Sequence, residues 1–128
     1  MERYPSLVLD FRHGRIRLNF ISLDYLELPD YIRLLINPQD QKLCVQVSEP
    51  DDPRSHRISS QRQRKPVYYE FNSRSLLRQL NGCGFSDMNR NYKIPGVLMK
   101  DQRMLVFELK DAQCLTSGEG KGGESKKS

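Results

Sequence analysis

Apolar and polar positions alternate with a period of two through most of this 128-residue chain. Leu7, Leu9 and Phe11 alternate with Val8 and Asp10, the turn Arg12-His13-Gly14-Arg15 follows, and Ile16, Leu18 and Phe20 then alternate with Arg17 and Asn19. That spacing predicts a β-hairpin with its glycine in the turn. Ser22 before LDYLEL predicts about two turns of helix capped by Ser22 and closed at Pro29. YIRLLI, the turn Asn37-Pro38-Gln39-Asp40 and KLCVQV predict a second hairpin, since Asn and Pro suit the first two positions of a type I turn.

PDDP (Pro50 to Pro53) divides the chain, because two prolines flank acids that favour turns. After it come SHRIS, the tract SQRQRKP and VYYEF. Ser73 is read as the N-cap of SRSLLRQLN, with Gly82 just past its end. NYKIPGVLM, a strand expected to be interrupted at Pro95 and Gly96, the turn KDQR and MLVFEL close the pattern as a third hairpin. On adjacent strand positions one of Tyr68 and Tyr69 is expected in the core and the other exposed.

The two halves share the order strand, short helix, hairpin. YIRLLINPQDQKLCVQV (31–47) lies without gaps on YKIPGVLMKDQRMLVFE (92–108), pairing Tyr31 with Tyr92 and Asp40-Gln41-Lys42 with Asp101-Gln102-Arg103, and Phe20-Ile21-Ser22 matches Phe71-Asn72-Ser73. The expectation is an α+β fold, mostly antiparallel strands in a small barrel-like or twisted sheet with two short helices. One domain, 1–114, is expected to contain two similar halves, about 4–49 and 54–114. Completing the second half requires Ile58 and Val67 on paired strands with Arg62 to Lys65 at their tip. Residues 115–128 hold Gly, Ser, Lys and Glu with little that is apolar, which predicts a disordered tail.

Charge changes the picture more than composition does. Hydrophobic residues are 37% of the chain, enough for one modest core, while the net charge of +5 favours polyanionic partners. Residues 53 to 69 hold Arg54, Arg57, Arg62, Arg64 and Lys65 and no acid; residues 11 to 23 hold Arg12, Arg15 and Arg17 and no acid. Arginines near hairpin turns suit phosphate and guanine edges. The candidate nucleic-acid-binding residues are Arg12, Arg15, Arg17, Arg57, Arg62, Arg64 and Lys65, with a tyrosine of the adjoining pair stacking on unpaired bases. The alternative is a solvated loop whose charges keep strand edges from pairing.

Catalytic chemistry finds little support. His13 and His56 have no Cys or carboxylate partners at metal-ligand spacing, no phosphate-loop, dinucleotide or nucleophile-elbow string occurs, and no cofactor is implied. Cys44, Cys83 and Cys114 form no CxxC pair, and Cys44 in its apolar run is expected in the core. Glu2, Arg3 and Asp10 interrupt any apolar leader and no run approaches membrane-spanning length, so a cytoplasmic protein without a membrane partner is expected.

Residues Gly14 to Ser48, GRIRLNFISLDYLELPDYIRLLINPQDQKLCVQVS, resemble the unit of the AbrB/MraZ swapped-hairpin family from its Gly-Arg through its closing strand. The resemblance implies a homodimeric or internally doubled barrel that binds DNA through basic residues of the first hairpin, here Arg15 beside Gly14 with Arg12 and Arg17 adjacent, in a transcriptional regulator. The helix carries Asp24 and Glu27 where that family usually places Arg or Lys. A doubled strand-helix-hairpin unit is also similar to a clamp-like duplicated fold, which leaves a protein-interaction or accessory module of phage or mobile-element type as the second expectation.

Overall fold

The computed structural model describes residues 3–58, 68–80, 83, 85 and 89–115. The elements are β1 (Ser6–Asp10), β2 (Arg15–Asn19), α1 (Phe20–Tyr25), β3 (Tyr31–Asn37), β4 (Lys42–Val47), β5 (Ser55–Arg57), β6 (Tyr68–Asn72), α2 (Arg74–Gln79), β7 (Asn91–Met99), β8 (Met104–Glu108) and β9 (Gln113–Leu115). All pairings are antiparallel, and the strands form one curled, half-barrel sheet in the order β5-β3-β4-β8-β7-β1-β2-β6, with β9 on β7. No described helix is long and apolar enough to cross a membrane.

The period-two pattern decides which face is the core, because successive side chains point to opposite faces. Leu7, Leu9, Ile16, Leu18, Ile32, Leu43, Val45, Ile94, Leu105 and Phe107 all point inward and are fully excluded from solvent. Leu23 and Leu26 at α1, with Leu77 and Leu80 at α2, add to the same cluster, and burying each such leucine is worth about 1.5–3 kcal/mol. Tyr69 is in the core and Tyr68 is exposed, as alternation requires. At the centre of β7, Gly96 lies opposite Phe107; a Cβ on Gly96 would sit 2.5 Å from that ring, so the missing side chain makes room for the largest fully buried one.

Several local expectations are corrected. The helix starts earlier than Ser22: Asn19 is its N-cap, accepting from Ser22 N–H at 3.0 Å. Ser22 is buried instead, receiving the Ser6 N–H and donating to the Ser6 carbonyl, so it ties α1 to β1. The helix ends at Tyr25, ahead of Pro29, through left-handed Glu27 and Leu28, with Leu28 N–H donating to the Leu23 carbonyl. Cys44 faces outward and is only half-buried, since its neighbours Leu43 and Val45 take the inward positions of β4. Strand β9 pairs Gln113–Leu115 with Asn91–Lys93, extending regular structure to the edge of the expected tail.

The gapless match of 31–47 on 92–108 is out of register by one residue. The pairs Leu34↔Val45 and Ile36↔Leu43 correspond to Gly96↔Phe107 and Leu98↔Leu105, whereas the gapless match would superpose half-buried Tyr31 on core Tyr92. A one-residue slip inverts every side chain, so only the shifted register keeps both cores inside. In that register left-handed Gln41 meets left-handed Arg103, and two hydrogen bonds become reciprocal: Val47 N–H to the Arg103 carbonyl at 3.0 Å, Leu109 N–H to the Gln41 carbonyl at 2.9 Å. Exchanging β1–β4 with β5–β8 also preserves every adjacency in the strand order except β1–β2. Its counterpart, β5–β6, is not paired among the described residues. Across that opening Tyr69 donates to the Arg57 carbonyl at 2.8 Å, and His56 stacks on Phe71 with ring centres 4.9 Å apart. Ile58 is buried just beyond β5; Val67, Gly82 and residues 116–128 lie outside the described residues.

Candidate nucleic-acid interface

The inward positions of β1, β2, β6 and β7 are filled by hydrophobic residues, so their polar residues are confined to the outer face. Register aligns these into cross-strand rows. One runs Gln113, Lys93, Val8, Arg17, Glu70 across β9, β7, β1, β2 and β6; the next runs Leu115, Asn91, Asp10, Arg15, Asn72.

Arg15 and Arg17, two residues apart on β2, both reach Glu70 on β6, each with a nitrogen 3.2 Å from a carboxylate oxygen. Glu70 thus holds both guanidinium groups, and Arg17 Nη2 also lies 4.0 Å from the Asp10 carboxylate, so two carboxylates face the two arginines. Arg15, Arg17 and Glu70 keep about a third of their surface in solvent, so their pairs contribute little to stability, about 0–1 kcal/mol each. Arg17 also lies over the Tyr68 ring at 5.4 Å, and Lys93 over the Tyr4 ring at 6.0 Å. Partial burial pushes the Lys93 ammonium below its ordinary range. Tyr4 and Tyr68 stay 49% and 42% exposed, and the Asn19 side-chain amide donating to the Tyr4 carbonyl anchors Tyr4 at the Tyr68 end of the face. Between the two cation–aromatic pairs lies Val8; strands spaced about 4.8 Å apart put Lys93 roughly 10 Å from Arg17.

The β1–β2 turn lies at the other end. Gly14 has φ +69°, and the space where its Cβ would sit is taken by the Arg74 side chain, whose Nη2 donates to the His13 carbonyl at 3.4 Å. Ser73, the residue before α2, donates its N–H to the Gly14 carbonyl. Asp10, almost fully buried, accepts from His13 N–H at 3.1 Å and sits 2.9 Å from His13 Nδ1. These contacts fix the turn that carries exposed Arg12.

Of the residues singled out in sequence, Arg12, Arg15 and Arg17 share this hairpin. Arg57 is exposed on β5, opposite Tyr31 and across the opening from β6. Arg62, Arg64 and Lys65 lie outside the described residues. Lys93, Tyr4, Glu70 and Arg74 were not anticipated. Alternation alone puts Lys93 opposite Tyr92 and Ile94, so its outward position was readable; its place in the row with Arg17 depends on pairings between distant segments. Among the described residues no three His, Cys, Asp or Glu side chains gather as a metal site. No family model, curated protein or solved structure matches the chain.

Proposed function

We propose that this is a non-enzymatic nucleic-acid-binding protein, a DNA-binding regulator that receives unpaired bases on the outer face of β7-β1-β2-β6. The observation that carries the reading is the pair of cation–aromatic contacts, Arg17 with Tyr68 and Lys93 with Tyr4, bracketing Val8 on a chain of net charge +5. Exposed tyrosines offer stacking surfaces that any base can use, worth about 1–3 kcal/mol per base, while the neighbouring cations take phosphates. Arg12, on the turn of the same hairpin, extends the basic track. The resemblance of residues 14–48 to the AbrB/MraZ unit is a second motive.

The two halves, β1 to β4 and β5 to β8, are read as two similar units. The reciprocal hydrogen bonds at Gln41 and Arg103 and the near-invariance of the strand order support that reading.

Fluorescence anisotropy of the full chain with labelled single-stranded and duplex DNA, at low and moderate salt, tests the function. Single strands are expected to bind more tightly, with affinity falling as salt rises, by about 0.7 in the log–log slope per phosphate neutralised. Tyr68→Ala is expected to weaken single-strand binding about tenfold, and replacing Arg62, Arg64 and Lys65 with Ser to weaken it further. Absence of binding at low salt, or indifference to all of these changes, would sink the proposal.

A further inference from the structure

The other outer face, on β3-β4-β8-β7, has a different chemistry. Its central row reads Leu35, Cys44, Val106, Val97 across four strands, with no charged residue. Val97 is 62% exposed, and in the next row Met99 is 44% exposed beside Met104, a row that continues through Gln46 to Arg33, which is paired with Asp52 at 2.8 Å. On the opposite side of the apolar row lie Lys42 and Glu108, cross-strand partners 3.6 Å apart. Apolar side chains in a contiguous stripe, rimmed by charge, mark an interaction surface.

We infer that this face is a homodimer interface in which two copies stack sheet on sheet about a twofold axis parallel to the strands. The layout of the stripe selects a second copy. Its ends are matched, Leu35 on one outer strand and Val97 on the other, and the two middle strands carry opposite charges at the same level. A twofold along the strands lays β4 of one subunit on β8 of its partner. Lys42 then meets the partner subunit's Glu108, and Glu108 meets the partner subunit's Lys42. Cys44 and Val106 cover each other, as do Leu35 and Val97. Lys42 and Glu108 each gain a second opposite neighbour and the apolar row leaves water, while Arg33 keeps its own Asp52 at the rim. Aligned sheets pack in this way about 10 Å apart. A face four strands wide and three rows deep measures on the order of 15–20 Å each way, about 450–800 Å² over both subunits, below the roughly 1,200 Å² at which stable interfaces begin, so the dimer is a weak and transient one. The inference stands apart from the nucleic-acid reading, since it uses the opposite part of the sheet.

Sedimentation equilibrium of the full chain tests it. At about 1 mM, where a dimer with a dissociation constant up to about 0.1 mM is mostly formed, a mass approaching twice 15.0 kDa is expected, and Val97→Lys is expected to give the monomer with an unchanged circular-dichroism spectrum. Lys42→Glu alone places four carboxylates together and Glu108→Lys alone four ammonium groups, so each should weaken the dimer at least about tenfold. Mixed in equal amounts, the two variants face each other with opposite charges at both contacts, and a heterodimer should form. A monomeric wild-type chain at that concentration overturns the inference. So does a dimer that ignores Val97→Lys, or a pair of charge variants that fail to rescue each other.

Discussion

The Asn19 side-chain oxygen Oδ1 accepts the N–H of Ser6 and the N–H of Ser22, so a single side chain caps α1 and fastens it to the start of β1. Replacing Asn19 with Ala removes that acceptor at a largely buried junction and is expected to cost about 1–2 kcal/mol. A urea titration reads this as a lower midpoint with an unchanged slope, and Asn19→Asp, which keeps an acceptor oxygen, should lose less. His56 provides a pH-dependent contribution. Burial holds its imidazole below the ordinary value of 6.5 while it stacks on Phe71. The unfolded chain therefore takes up a proton, as pH falls below that value, that the folded chain resists. His56 causes no loss of stability above pH 6.5 and an increasing loss below it, until the folded value is passed. The urea midpoint is expected to be lower near about pH 5.5 than near about pH 7.5, and His56→Phe, which keeps the ring contact and removes the titration, should flatten part of that difference.

Between elements, the paired turns after β3 and β7 offer a sharper comparison. Gln41 and Arg103 have φ of 54° and 51°, and each carbonyl accepts the bond that closes the end of the other half's strand. A left-handed residue with a Cβ is strained by about 1–2 kcal/mol, part of which glycine returns through its greater loss of freedom on folding. Gln41→Gly and Arg103→Gly should therefore each stabilise the protein by about 0.5–1 kcal/mol, and by similar amounts, as thermal or urea unfolding of the two variants would report. The strands on both sides of these turns could be read from the alternation of Leu43 and Val45 or Leu105 and Phe107, because sheet burial imposes that period directly. The cap could not: Asn19 and Ser22 are both good N-cap residues, and the choice was made by the contact with Ser6, far away in sequence. The burial register of the two hairpins was hidden for a related reason. Asp-Gln followed by a basic residue occurs in both turns, but turn chemistry does not record which face a strand buries. Cys44 was misplaced because an apolar run does not alternate visibly, and β9 went unseen because three residues carry no period.

At the scale of the whole molecule, the strand order interleaves the halves. β3-β4 and β1-β2 are separated by β8-β7, and β5 and β6 lie at the two ends. Neither half has a continuous sheet of its own, so neither can bury its core alone. Cut between Pro50 and Asp51, each fragment is expected to lack strand structure by circular dichroism, and an equimolar mixture to recover it. A fragment that folds independently would contradict the interleaving. The face with Arg17 and Tyr68 was partly legible, since the basic residues of the first hairpin stand out in sequence. Lys93 and Tyr4 joined it only through β1–β7 and β1–β2 pairings that no local pattern announces.

The position of β8 also has a consequence for biosynthesis. This strand is made after β1 to β7, yet it sits between β4, made much earlier, and β7. While the chain is being extended, β3-β4 and β1-β2 can form only as separate hairpins with unpaired edges, and isolated hairpins are marginal in water. The sheet closes only once Met104–Glu108 has cleared the ribosome. Folding of this sheet is therefore expected as one event that waits for β8, leaving the earlier strands dependent on chaperone protection until Met104–Glu108 emerges.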